Sequence, residues 1–457
     1  MIKKLYFLLF CLFFLKLFSV YTEIIIDIDK AVEMAAQNNL QIQSEVIGLR
    51  MKKRTKDTTW NYFIPSVSVS ATLSKMNETI PPTVMEIPAD AFFLGSPATA
   101  MAIPGGDDFW DISFGLRANL TITASMFVGM KQALLDYQAG LINIEMVRKK
   151  LDLNVKKAFY NIILLNENIK LMEQTISNVK DRYNQAKANY ENGLVSEYDM
   201  LSAQVALENM KPGLEEMKIG YQLAIISFKQ MIGLKTDEDI QFKGTIRGKM
   251  IEIDSDNLKK YISNKLEVKM LAKQLEMLEN LKLLSIMSFT PVVTFSYSAD
   301  PAFGLDPFGD NWFENMEDNW AQRAGMFAIT LSIPVDGVLP SSRTQVDISN
   351  KTDSIKQTRV GLEQLLLGAE LEIESIAMRL EKSMNSIDTL KLNVKLAGRA
   401  YNMANEAYKA GSIDLLALQN AELELRRSKL EVLKEEYTYV TGILDLEYAL
   451  NTVFKKE

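Results

Sequence analysis

The 457-residue chain predicts a mainly helical fold with a β-barrel part, built from duplicated units of helix, strand, strand, long helix, turn and helix. Three observations carry this reading. Eleven of the twelve prolines fall in three zones, which leaves long stretches free of helix breakers. The proline zones alternate apolar and small polar residues with period two, as a strand with two unlike faces does. The order of these pieces recurs in the second half of the chain.

Residues 1–22 read as a secretory signal peptide: Lys3 and Lys4, then an apolar run from Leu5 to Leu15, with cleavage between Ser19 and Thr22. Cys11 sits too early in that run for a lipid anchor to be the expected outcome. No later stretch holds ~18 uninterrupted apolar residues, so no transmembrane helix is expected in the mature chain.

Helical stretches are expected over about 30–62, 126–232, 255–288 and 341–452. In the second, Leu151, Val155, Ala158, Ile162, Leu165, Ile169, Met172, Ile176, Val179, Tyr183, Ala186 and Tyr190 alternate spacings of four and three without a slip. That is a left-handed coiled-coil seam. The fourth stretch repeats it from Ile373 to Tyr408. These faces are expected to find partners in other chains.

Strands are expected over about 66–74, 112–124, 292–299 and 326–333, with outer loops at 75–111 and 299–325. Alternation alone fits a half-buried soluble sheet somewhat better than a membrane barrel with a wet lumen. The aromatics favour the barrel. Trp60, Trp110, Trp312 and Trp320 all flank these strands, where a bilayer interface selects such rings.

The halves align residue by residue. At an offset of 218, Tyr183, Asn184, Ala186, Tyr190 and Gly193 meet Tyr401, Asn402, Ala404, Tyr408 and Gly411. At an offset of 226, Asn38, Leu40, Pro65 and Val67 meet Asn264, Leu266, Pro291 and Val293. The first repeat is expected over 23–233 and the second over 257–457, joined by a linker or equatorial segment at 234–256. A helix from 126 to 192 would run roughly 100 Å. Four strands per chain fall short of the about eight that the smallest transmembrane barrels use. Strand edges cannot face lipid, so several copies would have to share one barrel.

Composition excludes much else. With 47% hydrophobic and 24% charged residues, the balance is globular rather than disordered. There is no histidine, hence no imidazole base or ligand, and a single cysteine, hence no disulfide framework. A net charge of −7 offers no footprint for nucleic acid.

The signal peptide, the duplicated strand-pair-plus-helical-hairpin units and a Tyr-x6-Tyr-x2-Gly motif together resemble the outer membrane efflux family of TolC-like outer membrane factors. The best local matches are Tyr190–Ser196 (YENGLVS) followed by Ala203 and Gln204, and Tyr408–Ile413 (YKAGSI) followed by Ala421 and Glu422. The resemblance implies a homotrimer whose shared twelve-stranded outer-membrane β-barrel continues as a periplasmic α-helical coiled-coil tunnel. It implies the exit duct of a tripartite efflux pump or a type I secretion system, opened at its periplasmic tip. A periplasmic adaptor (membrane fusion) protein, an inner-membrane pump and outer-membrane lipid would be the partners. Neither a cofactor nor an enzymatic activity is implied.

On that resemblance Gly193, Leu194, Val195 and Ser196, with Gly411, Ser412 and Ile413, inherit the closing turns and the adaptor contact. Asp199 and Tyr408 match positions that lock the tip, although Asp199 read alone is equally a helix cap and Tyr408 a seam residue. Family members often place two aspartates six and nine residues after the second glycine; here those positions are Ala417 and Asn420. Asp414 is the nearest acid, either a ring across three copies or a solvated surface residue. Arg117 and Asn119 are expected to face the lumen. Pro212-Gly213 is expected to kink its helix. The acids Asp306, Asp310, Glu314, Glu317 and Asp318 do not match a calcium-loop spacing. The competing class is an exported structural or adhesive coiled-coil protein with a soluble β head.

Overall fold

A computed structural model describes residues 24–75, 77–79, 81–87, 99–103, 110–246, 258, 260–300, 302–303, 325–335 and 339–452. The expected signal peptide, Cys11, the acid-rich part of the second outer loop with Trp312 and Trp320, and the end of the linker lie outside these residues. The chain divides into two compact units. One draws on Met1–Lys52, Tyr137–Leu275 and Lys356–Glu457, the other on Lys53–Asp136 and Glu276–Ile355.

The element order begins with strand β1 (Ile24–Ile26) and helices α1 (Ile28–Asn38) and α2 (Leu40–Asp57). Strands β2 (Ser66–Lys75), β3 (Thr83–Ile87), β4 (Thr99–Ile103) and β5 (Trp110–Ile122) follow, then helices α3 (Ala124–Glu191) and α4 (Glu197–Ile232). After β6 (Ile240–Phe242), the second half runs through α5 (Leu266–Met287), β7 (Val292–Ala299), β8 (Ala302–Phe303), β9 (Met326–Ser332), α6 (Arg343–Lys409) and α7 (Leu415–Leu450). The expected strands and long helices are present. The first helical stretch breaks at Asn39 and ends in a 3-10 turn at Thr59–Phe63.

The second unit holds the main sheet, ordered β2-β5-β7-β9 and antiparallel throughout, with β8 beside β5. Its register sorts the side chains by polarity. Val69 pairs with Leu116, Leu120 with Phe295, and Phe295 with Ile329. The alternate positions pair Ser68 with Arg117, Asn119 with Ser296, and Thr294 with Thr330. The apolar face is open: Val69 is 76% exposed, Phe327 63% and Leu331 64%. Among the described residues, β2 and β9 pair on one side only. The first outer loop carries its own hairpin, β3 with β4, which its proline-rich sequence concealed.

The first unit is packed helix on helix. Seam residues Val155, Ile162, Ile169, Met172, Val179 and Ala186 are already buried within the chain, as are Ile373, Ile376, Leu380 and Ile387. The expectation that these faces wait for other chains is therefore corrected: the stripe facing inward is covered by this chain's own helices. A parallel pair, β1 with β6, was also missed by the sequence. It closes over an aromatic cluster in which Phe242 lies 5.7 Å from Phe159 and 5.2 Å from Phe228 between ring centroids. The end of α1 is tied to the end of α4 by Asn39, whose Nδ2 donates to the Met231 carbonyl at 2.9 Å. No described helix is long and apolar enough to cross a membrane.

Burial raises the phenol pKa of Tyr160, Tyr221, Tyr437 and Tyr448, and the Glu267 carboxylate that accepts from Tyr448 at 2.8 Å adds to the last. A folded pKa above the unfolded value of about 10 means stability is intact below that pH and falls as pH rises through the folded value. The midpoint for thermal loss of helical circular dichroism should therefore hold across neutral pH and drop only above about pH 10.

Candidate functional site

The two long helices end alike. Gly193 and Gly411 adopt φ of 74° and 72°, a left-handed conformation that costs glycine nothing. At the first turn the Gly193 amide donates to the Tyr190 carbonyl at 2.8 Å and the Leu194 amide to the Asn189 carbonyl at 2.8 Å. At the second, the Gly411 amide donates to the Tyr408 carbonyl at 3.0 Å and the Ser412 amide to the Ala407 carbonyl at 2.9 Å. Both are Schellman ends, which satisfy the last helical carbonyls and reverse the chain.

Each returning helix starts on a cap. Ser196 Oγ accepts from the Asp199 amide at 3.2 Å, while Asp199 Oδ2 accepts from the Ser196 amide at 3.2 Å and from Ser196 Oγ at 2.7 Å. This is a capping box with aspartate in the reciprocal place. Asp414 Oδ1 accepts from the Ala417 amide at 2.8 Å and opens α7. Asp199 and Asp414 thus both act as helix-cap residues, and both are exposed. Leu194, Ser196, Gly411 and Ser412 are exposed as well, with Val195 and Ile413 half-buried.

Tyr408 is half-buried on α6. Burial raises its phenol pKa, the charge of Asp199 adds to the rise, and Arg182 opposes it. The two expected lock residues therefore lie within electrostatic reach of each other, with the Asp199 carboxylate engaged in its cap.

Behind them lies a cluster that the heptad pattern did not reveal. Arg182 on α3 and Glu422 on α7 are 8% and 6% exposed and form a buried ion pair through Arg182 Nη2. Asn178 Nδ2 donates to Glu422 Oε1 at 3.0 Å, and Arg182 Nε donates to the Asn178 carbonyl at 3.2 Å. Desolvation lowers the Arg182 pKa. On sequence alone, charges beside a heptad seam read as a solvated face; the only signal was Glu422 inside the repeated motif.

Elsewhere, Arg117 and Asn119 stand on the serine- and threonine-rich side of β5, and Arg117 lies 3.7 Å from Asp300. Pro212 sits inside α4, which continues past it to Ile232. The acids considered for calcium lie outside the described residues.

Residues 31–234 match the model of the outer membrane efflux protein family. Among curated proteins, none matches the sequence. Solved structures do share the fold. A membrane protein from Pseudomonas aeruginosa is 15% identical with a TM-score of 0.72, the match covering 94% of this chain and 92% of that one. The CmeC outer membrane channel of Campylobacter jejuni is 14% identical with a TM-score of 0.74, covering 93% and 85%. The open state of the MtrE outer membrane channel of Neisseria gonorrhoeae is 15% identical with a TM-score of 0.70, covering 93% and 89%.

The capping box gives a local test of this geometry. Ser196→Ala should cost about 1 kcal/mol at the start of α4. Amide hydrogen exchange would show it as faster exchange confined to the first turn after residue 196. Residues 31–234 thus carry the pattern of the outer membrane efflux protein family, and the chain shares its fold with solved outer membrane channels.

Proposed function

We propose that three copies of this chain close a twelve-stranded barrel in the outer membrane and extend it as a helical tunnel into the periplasm. The assembly serves as the exit duct of a tripartite efflux pump or a type I secretion system, reached through a periplasmic adaptor. The observation that carries this reading is the main sheet, whose open apolar face meets one-sided edges at β2 and β9. Backbone groups at such edges go unpaired in lipid unless another strand takes them. Twelve strands from three chains supply that strand and exceed the about eight a barrel needs.

The helices support self-association in the same way. Beyond the inward seam, α6 exposes Leu367, Leu371, Met378, Leu392, Leu396 and Met403, and α4 exposes Leu201, Val205, Ile219, Leu223 and Ile226. Their spacings of three, four and multiples of seven keep them near one side of each helix, so each helix offers an exposed apolar stripe to a neighbouring copy. An adhesive protein with a soluble β head would leave the open apolar sheet face in water, at about 25 cal/mol per Å².

In this reading Arg117 and Asn119 line the wet lumen. Gly193 to Ser196 and Gly411 to Ile413 form the periplasmic tip that receives the adaptor, and Asp199 with Tyr408 holds it closed. Asp414 lies beside the tip, where three copies would present three carboxylates.

The detergent-corrected mass of protein purified from outer membranes should equal three chains; a monomer would sink the shared barrel. In planar bilayers Asp199→Ala and Tyr408→Phe should each raise the open fraction of the pore. Unchanged currents in both would remove the lock assignment while leaving the duct intact.

A further inference from the structure

We propose that Arg182, Asn178 and Glu422 form a clasp that holds the two tip hairpins in closed register, a gating element additional to Asp199 and Tyr408. The inference rests on the duct reading above. Arg182 lies eleven residues before Gly193, and Glu422 lies eleven residues after Gly411. The pair is therefore set back about 16 Å along its helices from either turn.

The topology makes this position mechanical. Helix α3 leads into the first tip turn and α7 leads out of the second, so each belongs to a different hairpin. Any opening that moves one hairpin past the other shears α3 along α7. The ion pair of Arg182 with Glu422, and the Asn178 amide donating to the same carboxylate at 3.0 Å, are directional bonds across that interface. Clefts of 340 and 390 Å³ flank Glu422, one lined by Tyr401 and Leu425, the other by Met210 and Leu423. Glu422 thus borders open space as well as the buried seam.

Chemistry argues that the pair is kept for register. A well-packed apolar pair of similar volume is often as stable as a buried ion pair or more so, whereas polar groups on a helix seam single out one alignment. Arg182 Nη1 is buried with no hydrogen-bond partner among the described residues. A clasp with an unmet donor opens at less cost than a fully satisfied one. The field of Arg182 also reaches Tyr408. Asp199 and Arg182 thus both act electrostatically on Tyr408, in opposite directions.

The test is single-channel recording of the full-length protein in planar bilayers, with unheated gel mobility as the check on assembly. Arg182→Met with Glu422→Met keeps the interface apolar and filled while removing its directional bonds. Its open-to-closed ratio should rise about tenfold or more, because an apolar pair tolerates shifted alignments of α3 on α7 that the ion pair does not. The reversed pair, Arg182→Glu with Glu422→Arg, should return the ratio toward that of the parent. A conducting parent whose methionine variant assembles and gates identically overturns the clasp alone. A parent that never conducts overturns the duct reading and the clasp with it.

Discussion

Every backbone amide placed in hydrocarbon needs a partner, and the rest of this structure follows from where the chain can and cannot supply one. A group left unpaired in lipid costs several kcal/mol. Among the described residues of the main sheet, β5 and β7 are flanked on both sides, and β2 and β9 on one. The chain satisfies its inner strands and leaves its outer ones, while the side chains of Val69, Phe327 and Leu331 stand on an open apolar face. A single copy thus leaves both needs open among the described residues, and in the proposed assembly further copies of the sheet answer both at once.

The helical unit meets its obligations differently. An α-helix satisfies its own backbone except at the ends, and here side chains and turns complete those ends. Two Schellman turns take the last carbonyls of α3 and α6, while Ser196 and Asp414 take amides in the first turns of α4 and α7. What remains unsettled is lateral: which turn of one helix sits against which turn of the next. Leucine and alanine at heptad positions permit slippage by whole heptads at modest cost, because one apolar layer resembles another. A polar pair inside the seam does not.

Much of this was legible in the sequence because it is periodic. Alternation located β2, β5, β7 and β9 to within about two residues, and the offset of Gly193 from Gly411 located the turns. What escaped was short or long-range. Ile24 to Ile26 is too brief to show a period, and its partner at Ile240 lies more than two hundred residues away. The β3–β4 hairpin was hidden among prolines. The seam was read correctly as a stripe but wrongly as unpartnered, because a one-dimensional pattern does not say which chain covers it. Arg182 and Glu422 escaped for a related reason: burial of a charge depends on a partner 240 positions distant.

The departures from the family pattern give that buried pair added weight. With Ala417 and Asn420 where acids are often found, the second hairpin lacks the carboxylates that would narrow a tunnel by charge. The acid that remains nearest, Asp414, spends an oxygen on the Ala417 amide, and Asp199 spends one on Ser196. A carboxylate oxygen committed to a cap stabilises the helix start and follows it wherever the hairpin goes. Resistance has to come from bonds that cross between hairpins. In the proposed duct, closure depends less on a ring of charge at the mouth than on the alignment of α3 with α7 behind it, where a half-buried asparagine meets the buried pair of an arginine and a glutamate.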